Sequence, residues 1–249
     1  MSIEDEISSP HPSPEGAKPL TPWNARDIGL TVVAGVAFIL VSSPALFIGL
    51  SAAGISLSRT ASFVLLGTDA YVSLSLAAWW ICLQRHNASL ESMGFSRLRW
   101  GPLAAMIPLA VGLLLANGLL VLLTSVVLGG SENPQSEALA PQGVLSTEDF
   151  LLLFLLIAVI APVGEELLFR GMFYRYLRGR RGVAFAVILS AAVFSLAHVI
   201  PVLLPALFAL GVALALVTER FASIYPAIAL HALNNGISLV ILYAATTRA

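Results

Sequence analysis

Six residues have the types and spacing of a hydrolytic site. Glu165, Glu166 and Arg170 follow one apolar run, His198 lies within a second, and His231 and Asn235 lie within a third. A charged side chain at the centre of a bilayer costs about 2.5–3.5 kcal/mol on insertion scales, so ionisable groups in such runs are functional candidates by default. Their types complement one another. A carboxylate can take a proton from water, an imidazole can hold or pass one on, and an amide can donate to a developing oxyanion.

The runs that carry these groups must first be embedded. The chain has 249 residues, of which 58% are hydrophobic and 11% charged, with a mean hydropathy of +0.90. That composition is outside the range of soluble domains and reads as an all-α, polytopic transmembrane helix bundle. Seven apolar segments are predicted, near 28–56, 60–83, 102–129, 149–169 (helical to about 179), 182–200, 202–218 and 222–245. Pro44, Pro108 and Pro162 are expected to kink their helices. The organisation expected is a disordered polar tail over 1–26, two amino-terminal transmembrane helices over 27–89, and a core over 90–245. The tail has no apolar core with a cleavage site, so no removable signal peptide is expected, and the first span would serve for targeting. The lone Cys82 excludes a disulfide framework and a multi-cysteine zinc site, and reads as a small apolar packing residue. Net charge is −1 and no basic block suggests nucleic acid.

Positive charge orients the bundle. With a cytoplasmic amino terminus and seven crossings, Lys18, Arg26, Arg85, Arg97, Arg99, Arg170, Arg175, Arg178, Arg180, Arg181 and Arg220 fall on the cytoplasmic side, against Arg59 and Arg248 outside. This predicts an integral protein of a bacterial inner (cell) membrane. Trp23, Trp79, Trp80 and Trp100 sit near the same ends and are expected to form an interface belt.

The polar groups then fall at overlapping depths. At ~1.5 Å per residue, Glu165 lies roughly 20 Å from Arg178, His198 roughly 25 Å from Arg181, and His231 roughly 16 Å from Arg220. Three helices thus bring polar residues to one level, which points to a shared site. Helical phase separates the two carboxylates. Glu166 and Arg170 are four apart in the favourable order for an ion pair, whereas Glu165 points about 100° away and is the freer group. His231 and Asn235 share a face, as do Phe194 and His198. Asp69 and Asn117 lie inside the second and third spans and are expected to pair with each other.

Taken together these residues resemble the CPBP family, which includes type II CAAX prenyl endopeptidases and bacterial proteins linked to bacteriocin processing or immunity. The resemblance rests on Glu165-Glu166-Leu167-Leu168-Phe169-Arg170, then Phe194-Ser195-Leu196-Ala197-His198, then His231-Ala232-Leu233-Asn234-Asn235. It covers roughly residues 90–245 and implies intramembrane proteolysis. Carried onto this chain, Glu165 is the base that activates water, His198 holds that water, His231 and Asn235 stabilise the oxyanion, and Glu166 and Arg170 hold their helix in place. The cofactor is either none or one divalent metal, zinc being the natural candidate for a carboxylate and two imidazoles. The leaning is metal-free, because the motif puts an amide where a fourth zinc ligand would stand. The expected partners are the bilayer and a membrane-anchored protein or peptide substrate: a CAAX-like tail, a leader peptide or a carboxy-terminal sorting tail.

Other protease chemistries fit poorly. No His-Glu-x-x-His is present, no Gly-x-Ser-Gly accompanies the histidines, and only Asp69 is an aspartate deep in a span. Ser195, three before His198, reads as packing. The competing function is a non-proteolytic scaffold, immunity protein or transporter that uses the same cluster for binding. A transporter should carry interrupted helices repeated in two halves, and no such repeat is visible.

Overall fold

The computed structural model describes residues 20–129, 134–140 and 143–246. Within them the chain forms helices α1 (Ala25–Ala52), α2 (Arg59–His86), α3 (Trp100–Val127), α4 (Pro134–Leu139), α5 (Thr147–Arg181), α6 (Val183–Ala197), α7 (Pro201–Phe221) and α8 (Tyr225–Thr246). Six of these are long and apolar enough to cross a membrane, and α6 is a shorter apolar helix. No strand occurs among the described residues. The all-α transmembrane bundle expected from composition is therefore the fold observed.

Packing follows the pattern of apolar faces. α1 lies on α2, α6 on α7, and α8 against α3 and α7, with α5 threading between α2, α6 and α8. A core between α3, α6, α7 and α8 buries Met106, Phe194, Leu210, Leu214 and Leu230. α6 and α7 approach closely at Gly211, where a Cβ would stand 2.9 Å from the Ala191 Cα and 3.0 Å from its Cβ. Neither atom can move without its helix. Gly211→Val is expected to destabilise the bundle by about 1–3 kcal/mol through overpacking, read as a lower midpoint of thermal unfolding in detergent.

Residues 1–19 of the anticipated tail lie outside the described residues; of its remainder, Thr21 and Trp23 are buried. Trp23 is fully buried, not part of an interface belt, because its Nε1 donates to the Met172 carbonyl at 3.2 Å while Arg180 donates to the Trp23 carbonyl at 3.0 Å. Trp79, Trp80 and Trp100 remain exposed. Asn24 then caps α1 by accepting from the Arg26 and Asp27 backbone N–H groups, and Asp27 returns the bond to Asn24. Such a capping box satisfies donors that would otherwise be orphaned. Asp27 also meets His86 at 3.0 Å, which ties the start of α1 to the end of α2.

Two local features set the depth of the polar residues. The first is the length of α6. Its 15 residues rise only about 22 Å, short of the ~30 Å hydrocarbon core. The apolar segment expected over 182–200 is helical to Ala197, and the chain reverses over 198–203. Val199 makes that reversal at φ +55° with 81% of its surface exposed, a left-handed conformation that β-branched residues rarely adopt. The second is π-helical geometry in α5, over Leu155–Ile160 and Leu167–Tyr174, on either side of Glu165 and Glu166. In a π turn the donor for the Ile157 carbonyl would be residue 162, but Pro162 has no N–H. That carbonyl is left free to accept from another helix.

Candidate active site

α5 presents two adjacent carboxylates with different surroundings. Glu166 and Arg170 are both fully buried, and Arg170 Nη1 donates to Glu166 Oε1 at 2.8 Å. Arg170 Nη2 donates to the Gly211 carbonyl at 3.0 Å, and the guanidinium lies 4.6 Å from the Phe194 ring centroid. The i,i+4 pairing anticipated from phase is present. Its further link was not legible: His231 Nδ1 donates to the same Glu166 oxygen at 2.9 Å.

Glu165 faces the other way, towards the histidines. Its Oε2 lies 3.7 Å from His231 Nε2 and 4.0 Å from His198 Nε2, and this buried oxygen makes no hydrogen bond within the protein. The histidines are oriented from behind. His198 Nδ1 meets the Phe194 carbonyl at 2.8 Å. A carbonyl can only accept, so Nδ1 carries the proton and, in the neutral ring, Nε2 is a lone pair. The same argument applies to His231, whose Nδ1 donates to Glu166. Three acceptors therefore converge on one point. Phe194 holds the two rings edge-on, at centroid distances of 4.9 Å to His198 and 5.7 Å to His231. It was noted only as a motif position, yet it contacts Arg170 and both imidazoles.

Asn235 lines a cavity with the two histidines but is tethered. Its Nδ2 donates to the freed Ile157 carbonyl at 3.1 Å, and Asn234 donates to its Oδ1 at 3.2 Å. One Asn235 N–H remains to serve another acceptor. Asn117 donates to Asn234, not to Asp69 as expected, and Asp69 accepts from Ser42 and Ser43 at 2.8 and 2.5 Å. α1 lies beside α2 and takes the aspartate first. Ser195 donates to the Leu204 carbonyl at 2.7 Å and closes the turn after α6, as its packing reading implied.

The predicted residues thus divide. Glu165, His198 and His231 meet around one gap, Asn235 lines a cavity together with the two histidines, and Glu166 and Arg170 form a buried support. The cavity has a volume of about 490 Å³ and is lined by His198, His231, Asn234 and Asn235 at one end and by Leu114, Leu207 and Leu242 among its apolar walls. Its walls come from the late turns of α3 and α8, the early turns of α7, and α4. All of these lie at the end of the bundle opposite Arg175, Arg178, Arg180, Arg181 and Arg220, which sit in the last turns of α5 and α7. The cavity therefore runs from the histidines away from the arginine-rich end.

Ligands bonded at about 2.1 Å in a tetrahedral zinc site stand roughly 3.4 Å apart, against 3.7 and 4.0 Å from Glu165 Oε2 to the two imidazoles here. Among the described residues no three His, Cys, Asp or Glu side chains are arranged to hold a metal ion. A donor with two protons also suits such acceptors. A water making bonds of about 2.8 Å spans such gaps at an angle of roughly 85–90°.

Neither the curated proteins nor the solved structures compared with the chain include a match. The sequence model described as type II CAAX prenyl endopeptidase Rce1-like matches residues 147–237. That span holds Glu165, Glu166, Arg170, His198, His231 and Asn235, and leaves α1, α2 and α3 outside it. The expectation of a CPBP-type protease core agrees with this match. Residues 147–237 are thus similar to the Rce1-like type II CAAX prenyl endopeptidases, a family of peptide hydrolases.

Proposed function

We propose that the chain is a metal-free intramembrane endopeptidase in which Glu165 activates the attacking water. The observation that carries this reading is the Glu165 Oε2 atom, buried, free of protein hydrogen bonds and facing two imidazole Nε2 atoms at 3.7 and 4.0 Å. A water placed there donates one proton to Glu165 and the other to His198, which leaves its oxygen lone pairs for a scissile carbonyl presented from the cavity. Glu165 takes the first proton as the C–O bond forms. The remaining Asn235 N–H donates to the oxyanion. His231 can add a second donor only with both ring nitrogens protonated, because Nδ1 already serves Glu166. Glu165 then passes its proton to the departing amine as the C–N bond breaks, the second water proton leaves through His198 Nε2, and the products are a carboxylate and an amine.

The cavity supports a choice of substrate. Positive-inside bias puts the arginine-rich end in the cytoplasm and the amino terminus with it, so the cavity mouth faces the external side. Apolar walls around a polar floor suit an exported protein held in the bilayer by an apolar carboxy-terminal sorting tail. CAAX-like tails and leader peptides would have to come from the cytoplasmic end.

The metal-free route has its own test. Purified protein in liposomes, assayed on a host membrane protein that it processes, is expected to keep its rate within about twofold after treatment with 1,10-phenanthroline and after added zinc. His198→Ala is expected to lower turnover by about 10²–10⁴-fold, the range for loss of one acid–base group. A rate abolished by chelator and restored by zinc would refute it.

A further inference from the structure

Glu165 has two oxygens, and the water-activation reading uses only Oε2. The other is taken by a residue far away in sequence. Tyr71, in the middle of α2, donates its hydroxyl to Glu165 Oε1 at 2.5 Å. That length is typical of a charge-assisted O–H···O⁻ bond, about twice as strong as a neutral one. Backbone geometry prepares the contact. Gly164, next to Glu165, is where α5 meets the Tyr71 ring: a Cβ there would lie 2.8 Å from Tyr71 Cδ1 and 3.1 Å from its Cβ. Glycine lets α2 and α5 approach closely enough for the hydroxyl to reach the carboxylate.

We infer that Tyr71 is a positioning residue for the hydrolytic water, clamping Glu165 so that Oε2 faces His198 and His231. The inference rests on the proposed role of Glu165. The terminal torsion of a glutamate side chain is broad and roughly two-fold, so packing alone holds the carboxylate plane weakly. A bond at Oε1 fixes that plane and occupies the oxygen that would otherwise compete for the water. A misplacement of about 1 Å at a reacting group can cost on the order of 10²-fold in rate. Tyr71 reaches Glu165 from the α2 side, whereas the cavity is walled by α3, α4, α7 and α8. The clamp should therefore govern turnover without governing substrate binding. It also gives the second helix a role, since α2 lies outside the 147–237 family match.

The test uses the full chain in liposomes and a host membrane protein that accumulates uncut in a deletion strain. Tyr71→Phe keeps the ring and its packing and removes only the hydroxyl. The expected result is a 10–100-fold fall in kcat with KM changed less than twofold, in a protein still fully folded at the assay temperature. Incorporation of 3-fluorotyrosine at position 71, which keeps a donor, should restore most of the rate. Tyr71→Phe combined with Glu165→Gln should be no slower than Glu165→Gln alone. If Glu165→Gln is inactive while Tyr71→Phe cleaves at the full rate, the clamp is wrong and the role of Glu165 stands. A lowered thermal midpoint that accounts for the loss of rate would make Tyr71 a packing residue and also overturn the clamp. If Glu165→Gln itself cleaves normally, the underlying reading fails.

Discussion

Glu165→Gln abolishes cleavage, lowering turnover by about 10³-fold or more, and leaves the fold intact. The size follows from what is removed: the substitution keeps volume and shape but deletes the carboxylate that faces both Nε2 atoms, and a positioned general base contributes typically 10²–10⁴-fold. The intact fold follows from its surroundings. Glu165 contacts Tyr71 and faces the two imidazoles, but Arg170 is paired with Glu166, so no buried cation is left unpaired when residue 165 loses its charge. The thermal midpoint should move by no more than a degree or two, and substrate should still bind and co-purify with the variant. Kinetics on reconstituted protein together with a melting curve separate the two effects.

Glu166→Ala has the opposite signature and is the largest stability effect expected. Both members of the Glu166–Arg170 pair are fully buried, and removing one partner of such a pair strands the other charge, at about 3–5 kcal/mol. The loss reaches further here because Glu166 also accepts from His231 Nδ1. Without that acceptor His231 loses its orientation, so activity should fall with stability. Replacing both residues together, Glu166→Ala with Arg170→Met, should recover much of the lost stability but not the activity. The double-mutant cycle measures the coupling, read from thermal or denaturant midpoints alongside cleavage. A double variant as unstable as Glu166→Ala would mean that the pair is not the source of the effect.

The contrast between these neighbours was partly legible in the sequence, because i,i+4 spacing pairs Glu166 with Arg170 and turns Glu165 elsewhere. The number and order of the apolar helices were equally readable, since long apolar runs leave little choice of secondary structure in a bilayer. What escaped notice depended on contacts between distant helices. Tyr71 looks like any aromatic residue in a span, and its hydroxyl meets Glu165 across 94 positions. The tether of Asn235 needs both Pro162 and a π register in α5, and the second of these has no signature in composition. The shortness of α6 was hidden because Val199 and Ile200 continue the apolar run past the point where His198 ends the helix. Trp23 reads as an interface residue until the partner carbonyl of Met172 is known.

The central claim is that a water held by Glu165 and His198 cuts a membrane-anchored protein. It is tested most directly in the host, by comparing amino- and carboxy-terminal peptides of the membrane proteome among strains carrying the parent chain, Glu165→Gln, His198→Ala and a full deletion, at matched expression. The account predicts that both variants accumulate the same uncut proteins as the deletion, and that these are exported proteins still bearing an apolar carboxy-terminal tail. If both variants instead process the proteome like the parent while the deletion keeps a phenotype, the chain acts as a scaffold or transporter, and the hydrolytic assignment is contradicted.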